Sequence, residues 1–386
     1  MKRKALAALA AVLFASVTAH AADILVPKDQ EFIQDAIDVA NDGDRIIVSK
    51  GRYNENLRMT DRNNITIIGK KAVVTGRNSG PIAILHNCAG ITISKLGFAT
   101  NEDSGLVLTK CSGVTIDKCR FSGIDGDGLR ADHSSDITVM KCRFDDIGDD
   151  GIAFSVGLDT IKTNDSLIEQ CKFTNISDDA VDINGNDNRV YKCKASDIFE
   201  DGFELDEDWA STGNTFEKCS VKNCDENGFR IGFLSTDNLL IGCKVSVPGD
   251  NGFEVVGDDN RLEGCKVVLA DSDGYEISGD MNTLVNCKAI RSDSDGYEIN
   301  ADNNTLTGCK ADRSDDEGFE VDGDGNDLEG NTAKRSGSSG FLLQSGASGN
   351  TLTRNKASKS VDFDLLVEAT PGDNTLTDNK FKTIGP

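Results

Sequence analysis

Cysteine returns in this chain at a fixed interval, and that interval leaves few folds open. Gly264-Cys265-Lys266, Asn286-Cys287-Lys288 and Gly308-Cys309-Lys310 stand 22 residues apart, and between them recur Asp273-Gly274-Tyr275-Glu276-Ile277, Asp295-Gly296-Tyr297-Glu298-Ile299 and Glu317-Gly318-Phe319-Glu320-Val321. The column runs back through Cys243, Cys219, Cys193, Cys171, Cys142 and Cys119 to Leu96, and forward through Asn331, Asn355 and Asn379. These are 13 equivalent positions, spaced by 22 to 24 residues except in two longer coils. A period in the low twenties with no helical stripe marks a solenoid, whose units bury hydrophobic surface only against their neighbours. Each unit holds three short runs of alternating apolar and polar residues, such as Gly-Phe-Glu-Val, Asn-Thr-Leu-Thr and Cys-Lys-Ala, separated by turn residues.

Three short strands per coil predict an all-β chain, a right-handed parallel β-helix of about 13 coils and, at about 4.8 Å per coil, a rod on the order of 60 Å long. With 39 Gly and only 5 Pro, the composition suits frequent tight turns. Phe32, Ile33, Ala36, Ile37 and Ala40 fall at helical spacing, so residues 29–40 are expected to form a short helix capping the open hydrophobic end. Residues 1–21 read as a leader: Lys2-Arg3-Lys4, an apolar run from Ala5 to Val17, then Ala19-His20-Ala21. Export to the periplasm or beyond the cell is therefore expected, with residues 22–386 as one domain and no membrane span. The net charge is −24. Such a field repels nucleic acid and anionic lipid, so neither is expected as a partner.

Twelve cysteines in an exported chain raise the question of disulfides. Nine of them form the single column, beside inward residues such as Phe121, Phe144 and Phe173, and read as a buried stack of small hydrophobes. Cys88 and Cys111, off the column, are a candidate cross-coil pair. The chain has no Cys-x-x-Cys and only three His, so no zinc or redox pattern is present.

Phe32-Ile33-Gln34-Asp35-Ala36-Ile37, Gly43-Asp44-Arg45-Ile46-Ile47-Val48 and Gly51-Arg52-Tyr53-Asn54-Glu55-Asn56 together resemble the start of many pectate-lyase-like right-handed β-helix proteins, and the coils resemble that superfamily's repeats. The resemblance covers the whole mature chain. It implies the fold and leaves the activity open, because the superfamily holds lyases, hydrolases, epimerases, esterases and proteins without known chemistry.

Two charge columns run along the rod. The residue after each column Cys is basic (Arg120, Arg143, Lys172, Lys194, Lys244, Lys266, Lys288, Lys310) except at Cys219, which Ser220 follows, whereas the outward position of the Gly-aromatic strand is acidic (Asp182, Glu204, Glu254, Glu276, Glu298, Glu320). The acidic column breaks at Arg130, Ala153 and Arg230, and the next outward position adds Asp132 and Asp206. Both long coils lie here, with extra length around 157–165 and 206–213, the second carrying Trp209, the only Trp. Insertions on a solenoid wall binding sites, and an exposed aromatic suits stacking on a sugar ring. This stretch is the expected site, with Trp209 and Asp132 as substrate contacts. The expected ligand is a polysaccharide.

Two chemistries fit the residues. Ca²⁺-assisted β-elimination on an acidic polysaccharide would use Arg130 or Arg230 on the uronate, with Asp182, Glu204 and Asp206 holding the ion. Hydrolysis would use carboxylates: Asp127-Gly128-Leu129 followed by Asp149-Asp150-Gly151 resembles the polygalacturonase pattern of one Asp and then an Asp pair a coil away. The chain departs from that pattern in lacking the family's later His-Gly and Arg-x-Lys; Arg230-Ile231-Gly232 has no Lys. Asp132-His133 resembles the Asp-x-His-Asp of mannuronan epimerases at a different spacing, which makes His133 a further candidate. Asp-Gly also recurs at Asp201, Asp273 and Asp295, where it reads as a turn. A non-catalytic secreted solenoid, a surface or matrix protein, is the remaining expectation.

Overall fold

A computed structural model of the chain describes residues 21–77, 79–156, 160–206, 209–370 and 373–385. The proposed leader, apart from Ala21, lies outside the described residues, as do 157–159 of one insertion and 207–208 of the other. The chain winds as a parallel β-helix. One side of every turn contributes to a 15-stranded parallel sheet, from Leu57–Thr60 to Ile384–Gly385, and the other two sides form a 28-stranded sheet. Among the described residues no helix is long and apolar enough to cross a membrane.

Fifteen turns exceed the 13 of the repeat because the column begins two coils earlier. Gly51 pairs with Ala72 and Ala72 with Leu96 in parallel register. Neither is Cys or Asn, so the periodicity hides them. The cap helix is shorter than expected, Ile33–Val39, and buries Ile33, Ala36 and Ile37 against the first turns. Its N-cap residue, Phe32, supplies no side-chain cap. Glu55 does so from the next turn, its two oxygens accepting the Ile33 and Gln34 amides at 3.1 and 3.0 Å. The helix therefore starts where a carboxylate meets its orphan N–H groups.

Identical positions stack at the coil pitch. Phe98, Phe121, Phe144 and Phe173 lie 4.7–5.0 Å apart, nearly parallel. Beyond Phe173 this column turns small, with Ala195 and Val221 in register. The facing column then turns large: Val181 gives way to Phe203, and Phe229, Phe253, Tyr275, Tyr297, Phe319 and Phe341 follow at 4.6–5.2 Å. One column gains the volume that the other gives up, as close packing requires. Two polar ladders hold the corners. Asn188, Asn214, Asn238, Asn260, Asn282, Asn304, Asn326 and Asn350 each donate a backbone amide to the next coil's Asn Oδ1 at 2.7–2.9 Å. Asn331, Asn355 and Asn379 continue the cysteine column in the same way.

All 12 cysteines are buried and free. Cys88 and Cys111 are thus not a pair: the Cys88 thiol is directed at the Met59 and His86 carbonyls, the Cys111 thiol at Leu85 and Thr109, each near 3.4 Å. The column does likewise, as where Cys265 Sγ sits 3.5 Å from the Leu240 oxygen. Buried thiols used this way are shielded from oxidants. Thiol titration should therefore count 12 reactive groups in denaturant and essentially none in the folded protein; fewer in denaturant without reductant would mean that disulfides form.

Candidate functional site

The turn entering the 15-stranded sheet carries the candidate carboxylates. At Gly128 a Cβ would lie 2.6 Å from the Phe144 ring and 2.7 Å from the Gly151 oxygen, so the chain passes too close to its neighbours for a side chain. The residue just before this glycine is thrown to the outer edge, where it meets the next coil's amide. Asp150 Oδ1 accepts the Asp179 N–H at 3.1 Å, Asp179 Oδ1 accepts Asp201 N–H at 2.8 Å, and Asp201 Oδ1 accepts Asn227 N–H at 2.7 Å. Asn227 and Asn251 perform the same task without charge, at 3.1 and 2.9 Å. One oxygen is all the ladder needs. The second oxygen and the charge of Asp150, Asp179 and Asp201 exceed what the ladder uses, and Asp127, one coil earlier, accepts instead from the Ser104 hydroxyl at 3.3 Å.

Strand register pairs Leu129 with Ile152, so Asp150 rather than Asp149 stands over Asp127. Asp149 is exposed, one residue earlier in the turn. Carboxylate oxygens of Asp127, Asp149 and Asp150 converge within 4.8 Å, as do those of Asp150, Asp178 and Asp179 and those of Asp179, Asp201 and Glu204. Shared members join the three groups into one band across four turns. Burial is the first cause that lifts these acids, and their mutual repulsion is the second. Asp127 is pushed up to about 6, by burial and then by Asp149, with Arg130 opposing. Asp178 is likewise raised to about 6, by burial and Glu200. Asp150, Asp179, Asp182 and Asp201 are held well above the carboxylate range.

The expected outward column forms as read. Arg130, Ala153, Asp182, Glu204, Arg230 and Glu254 are successive register partners. The two arginines differ in availability. Arg230 lies between Glu204 at 2.8 Å and Glu254 at 3.0 Å. Arg130 has longer contacts, 3.7 Å to Asp127 and 3.4 Å to Asp132, and its side chain is 43% exposed. Burial raises Asp132, against the pull of Arg130. The carboxylate trio that includes Glu204 is completed by Asp179 and Asp201, rather than by Asp182 and Asp206. Asp182 instead accepts a hydrogen bond from Asn184 Nδ2 at 3.1 Å, and the buried Oδ1 atoms of both residues have no hydrogen-bond partner. His133 sits in the left-handed turn beyond strand Leu129–Asp132, the opposite end from Asp127. It is not brought into the carboxylate band.

An apolar wall follows the same strands. Ile161, Trp209, Phe233 and Leu234 are exposed large hydrophobics in the turns after Ile152–Ser155, Phe203–Leu205 and Phe229–Ile231. The two insertions touch, the Lys162 ammonium donating to the Ala210 carbonyl across the intervening coil. Phe233-Leu234, Asp178-Asp179 and Asn184 went unread in the sequence, and Asp201 was read only as a turn. Their signal was present: Phe-Leu replaces a polar turn, and Asp178-Asp179 repeats Asp149-Asp150. The site is an open face; the depressions, of about 370 and 450 Å³, lie elsewhere, beside Arg77 and Glu102 and beside Lys172 and Lys194.

The fold is thus a parallel β-helix in which two insertions stand beside an acidic strip bounded by Arg130 and Arg230. The chain belongs to the family described as right handed beta helix region, whose model matches residues 35–164, 155–267 and 231–381. No curated protein sequence matches it. Among solved structures it is similar to tailspike protein 3 of bacteriophage CBA120, at 12% identity and a TM-score of 0.57, covering 88% of this chain and 56% of that one. The receptor-binding domain of the siphovirus 9NA tailspike matches at 9% identity and 0.57, over 90% and 75% of the two chains. A mannuronic acid specific polysaccharide family 6 lyase from human gut microbiota matches at 14% identity and 0.52, over 91% and 83%. At these identities the likeness is one of fold.

The lifted carboxyls give a pH signature. A carboxyl whose folded pKa exceeds its unfolded value favours folding while protonated, and that stability is lost as pH rises through the folded value. For Asp127 the window runs from the ordinary carboxyl value of 3.8 to about 6, and the loss is at most ~3 kcal/mol. With chelator present, the melting temperature should fall as pH rises from 4 to 7, and Asp127→Asn should flatten part of that fall. An unchanged slope in the variant would show Asp127 to be unburdened.

Proposed function

We propose that the protein is an exported carbohydrate-active protein that binds an extended acidic polysaccharide along the face between Arg130 and Arg230 and cleaves it there. The observation that carries this reading is the joined band of Asp127, Asp149, Asp150, Asp178, Asp179, Asp201 and Glu204, which lies where insertions and exposed aromatics wall the rod, whereas the ladder acids Asp273, Asp295 and Glu317 return in coils without an insertion. Proteins of like fold include a polysaccharide lyase and two phage tailspikes, which supports a glycan as ligand. The lone Oδ1 atoms of Asp182 and Asn184 and the converging carboxyl oxygens of Asp179, Asp201 and Glu204 are hard oxygen donors of the kind Ca²⁺ takes. A bound Ca²⁺ would offset the band's charge and let a uronate approach.

The chain's own groups then divide the work. Arg130, the more available arginine, pairs with the sugar carboxylate and so acidifies the adjacent C–H. Asp127, raised to about 6, is poised to accept that proton near neutral pH. Asp150, raised by burial and then by its acidic neighbours, donates its proton to the leaving glycosidic oxygen. The C–H and C–O bonds break, a C=C bond forms, and the proton reaches the departing oxygen. Hydrolysis is the second reading, favoured by the closeness of Asp127 and Asp150: one acid and one carboxylate-activated water would serve.

A depolymerisation screen on pectate, alginate, chondroitin and neutral glycans, with Ca²⁺ and with chelator, decides between them. Unsaturated product that requires Ca²⁺ is expected; new reducing ends without unsaturation would give the site to hydrolysis. Asp150→Asn should keep the ladder hydrogen bond and the fold while lowering the rate at least about 100-fold, whereas Asp273→Asn, outside the walled stretch, should leave it unchanged. Absence of product from every glycan, or an Asp150→Asn variant as active as the parent, would leave a non-catalytic solenoid.

A further inference from the structure

The basic column forms a corner of its own, between the two strands that each turn gives to the large sheet. In cross-section this corner faces away from the 15-stranded sheet. Arg120, Arg143, Lys172 and Lys194 are direct register partners, so like charges stand opposite one another, which is unfavourable in a sheet. Arg120 and Arg143 share Asp145, at 2.8 and 3.7 Å. Among the described residues Lys172 and Lys194 form no ion pair, in a chain with 65 acidic side chains.

A second column sharpens the point. The residue just before each column cysteine is left-handed, as at Lys118, Lys141, Gln170, Lys192 and Lys218, whose φ values run from 55° to 57°. Gly242, Gly264, Gly308 and Gly330 take this place in later coils, where glycine adopts it without strain. Lysine is therefore kept, against backbone preference, at Lys192 beside Lys194 and at Lys141 and Lys218 in nearby coils, whereas Asn286 and Arg354 join glycine at this place in later ones. Tyr191 organises the cluster: Arg189 lies 4.7 Å from its ring centroid, Lys192 4.6 Å and Lys218 5.7 Å. Glu217 is taken up by Arg189 and Lys218, and Glu169 accepts from Gln170. What remains is a depression of about 450 Å³ lined by Gln170, Cys171, Lys172, Lys192, Lys194 and Lys218.

We infer that this corner is a binding strip for an anionic glycan, with Lys172, Lys192 and Lys194 contacting carboxylate or sulfate groups on successive sugars. Cations repeat there once per coil, about every 4.8 Å, which suits a polymer with one charge per sugar. Double-stranded DNA carries a charge about every 1.7 Å and meets a strongly acidic molecule around the strip. Single strands bind by stacking bases on aromatic faces, and the Tyr191 ring is already engaged by cations. The inference stands apart from the acidic groove, since it uses none of that face's residues.

The test is affinity electrophoresis and calorimetry of the full chain on polygalacturonate and chondroitin sulfate, with dextran and single-stranded DNA as comparisons. The anionic glycans should retard the protein and dextran should not. Lys172→Gln/Lys192→Gln/Lys194→Gln, with Gln170 as precedent for glutamine in the left-handed turn, should weaken binding at least tenfold. It should also flatten the salt dependence by about one unit of slope per lysine. Lys288→Gln/Lys310→Gln should change little, and Asp150→Asn should still bind, which separates this strip from the groove. Unchanged affinity in the triple variant, equal binding of dextran, or tighter binding of DNA would overturn the inference. So would a concentration-dependent dimer that the triple variant abolishes, since a second copy would then own the corner.

Discussion

Register is the constraint on which the rest of this structure depends. Every coil hydrogen-bonds to the next in parallel, so each position meets its own equivalent about 4.8 Å away. A residue type that stacks well on itself is favoured at every position. Aromatic rings, asparagine amides and thiols all do so, and each has a column. Charge does not, and the molecule handles that in two ways: Arg230 is placed between Glu204 and Glu254, and elsewhere acids are pushed toward their protonated forms.

The volume exchange between the two aromatic columns falls in the coils that carry the candidate site. Phe173 ends one stack, Phe203 begins the other, and Asp179, Asp182 and Asp201 lie between them. The core changes sides where the surface changes character. The asparagine ladder begins at this exchange, Ser166 donating its amide to Asn188 Oδ1 and Asn188 to Asn214 Oδ1, because a hydrogen bond from amide to Oδ1 is indifferent to the core's side. The scaffold thereby stays regular under two insertions.

The two faces of the rod divide its charge. Carboxylates gather on the walled face, where burial and mutual repulsion raise them. Lysines gather at the far corner with few partners. A molecule that is acidic overall thus presents a cationic edge, and the separation is produced by strand alternation, which sends successive side chains to opposite faces.

Periodicity in the sequence determined the fold, the outward column and its breaks at Arg130, Ala153 and Arg230, because strand alternation and a constant coil length translate directly into faces. It also located the walled stretch, from the two long coils and Trp209. It could not distinguish Asp149 from Asp150, since one residue of register decides which of them joins the ladder. The first two coils lacked a repeated residue type and went uncounted. The shift from Asp182 and Asp206 to Asp179 and Asp201 beside Glu204, and the engagement of Arg230 by two carboxylates, needed the turn geometry that throws pre-glycine side chains outward. Sequence spacing orders residues along a coil; the distance between residues on neighbouring coils, which sets charge coupling, exists only once the turns are stacked.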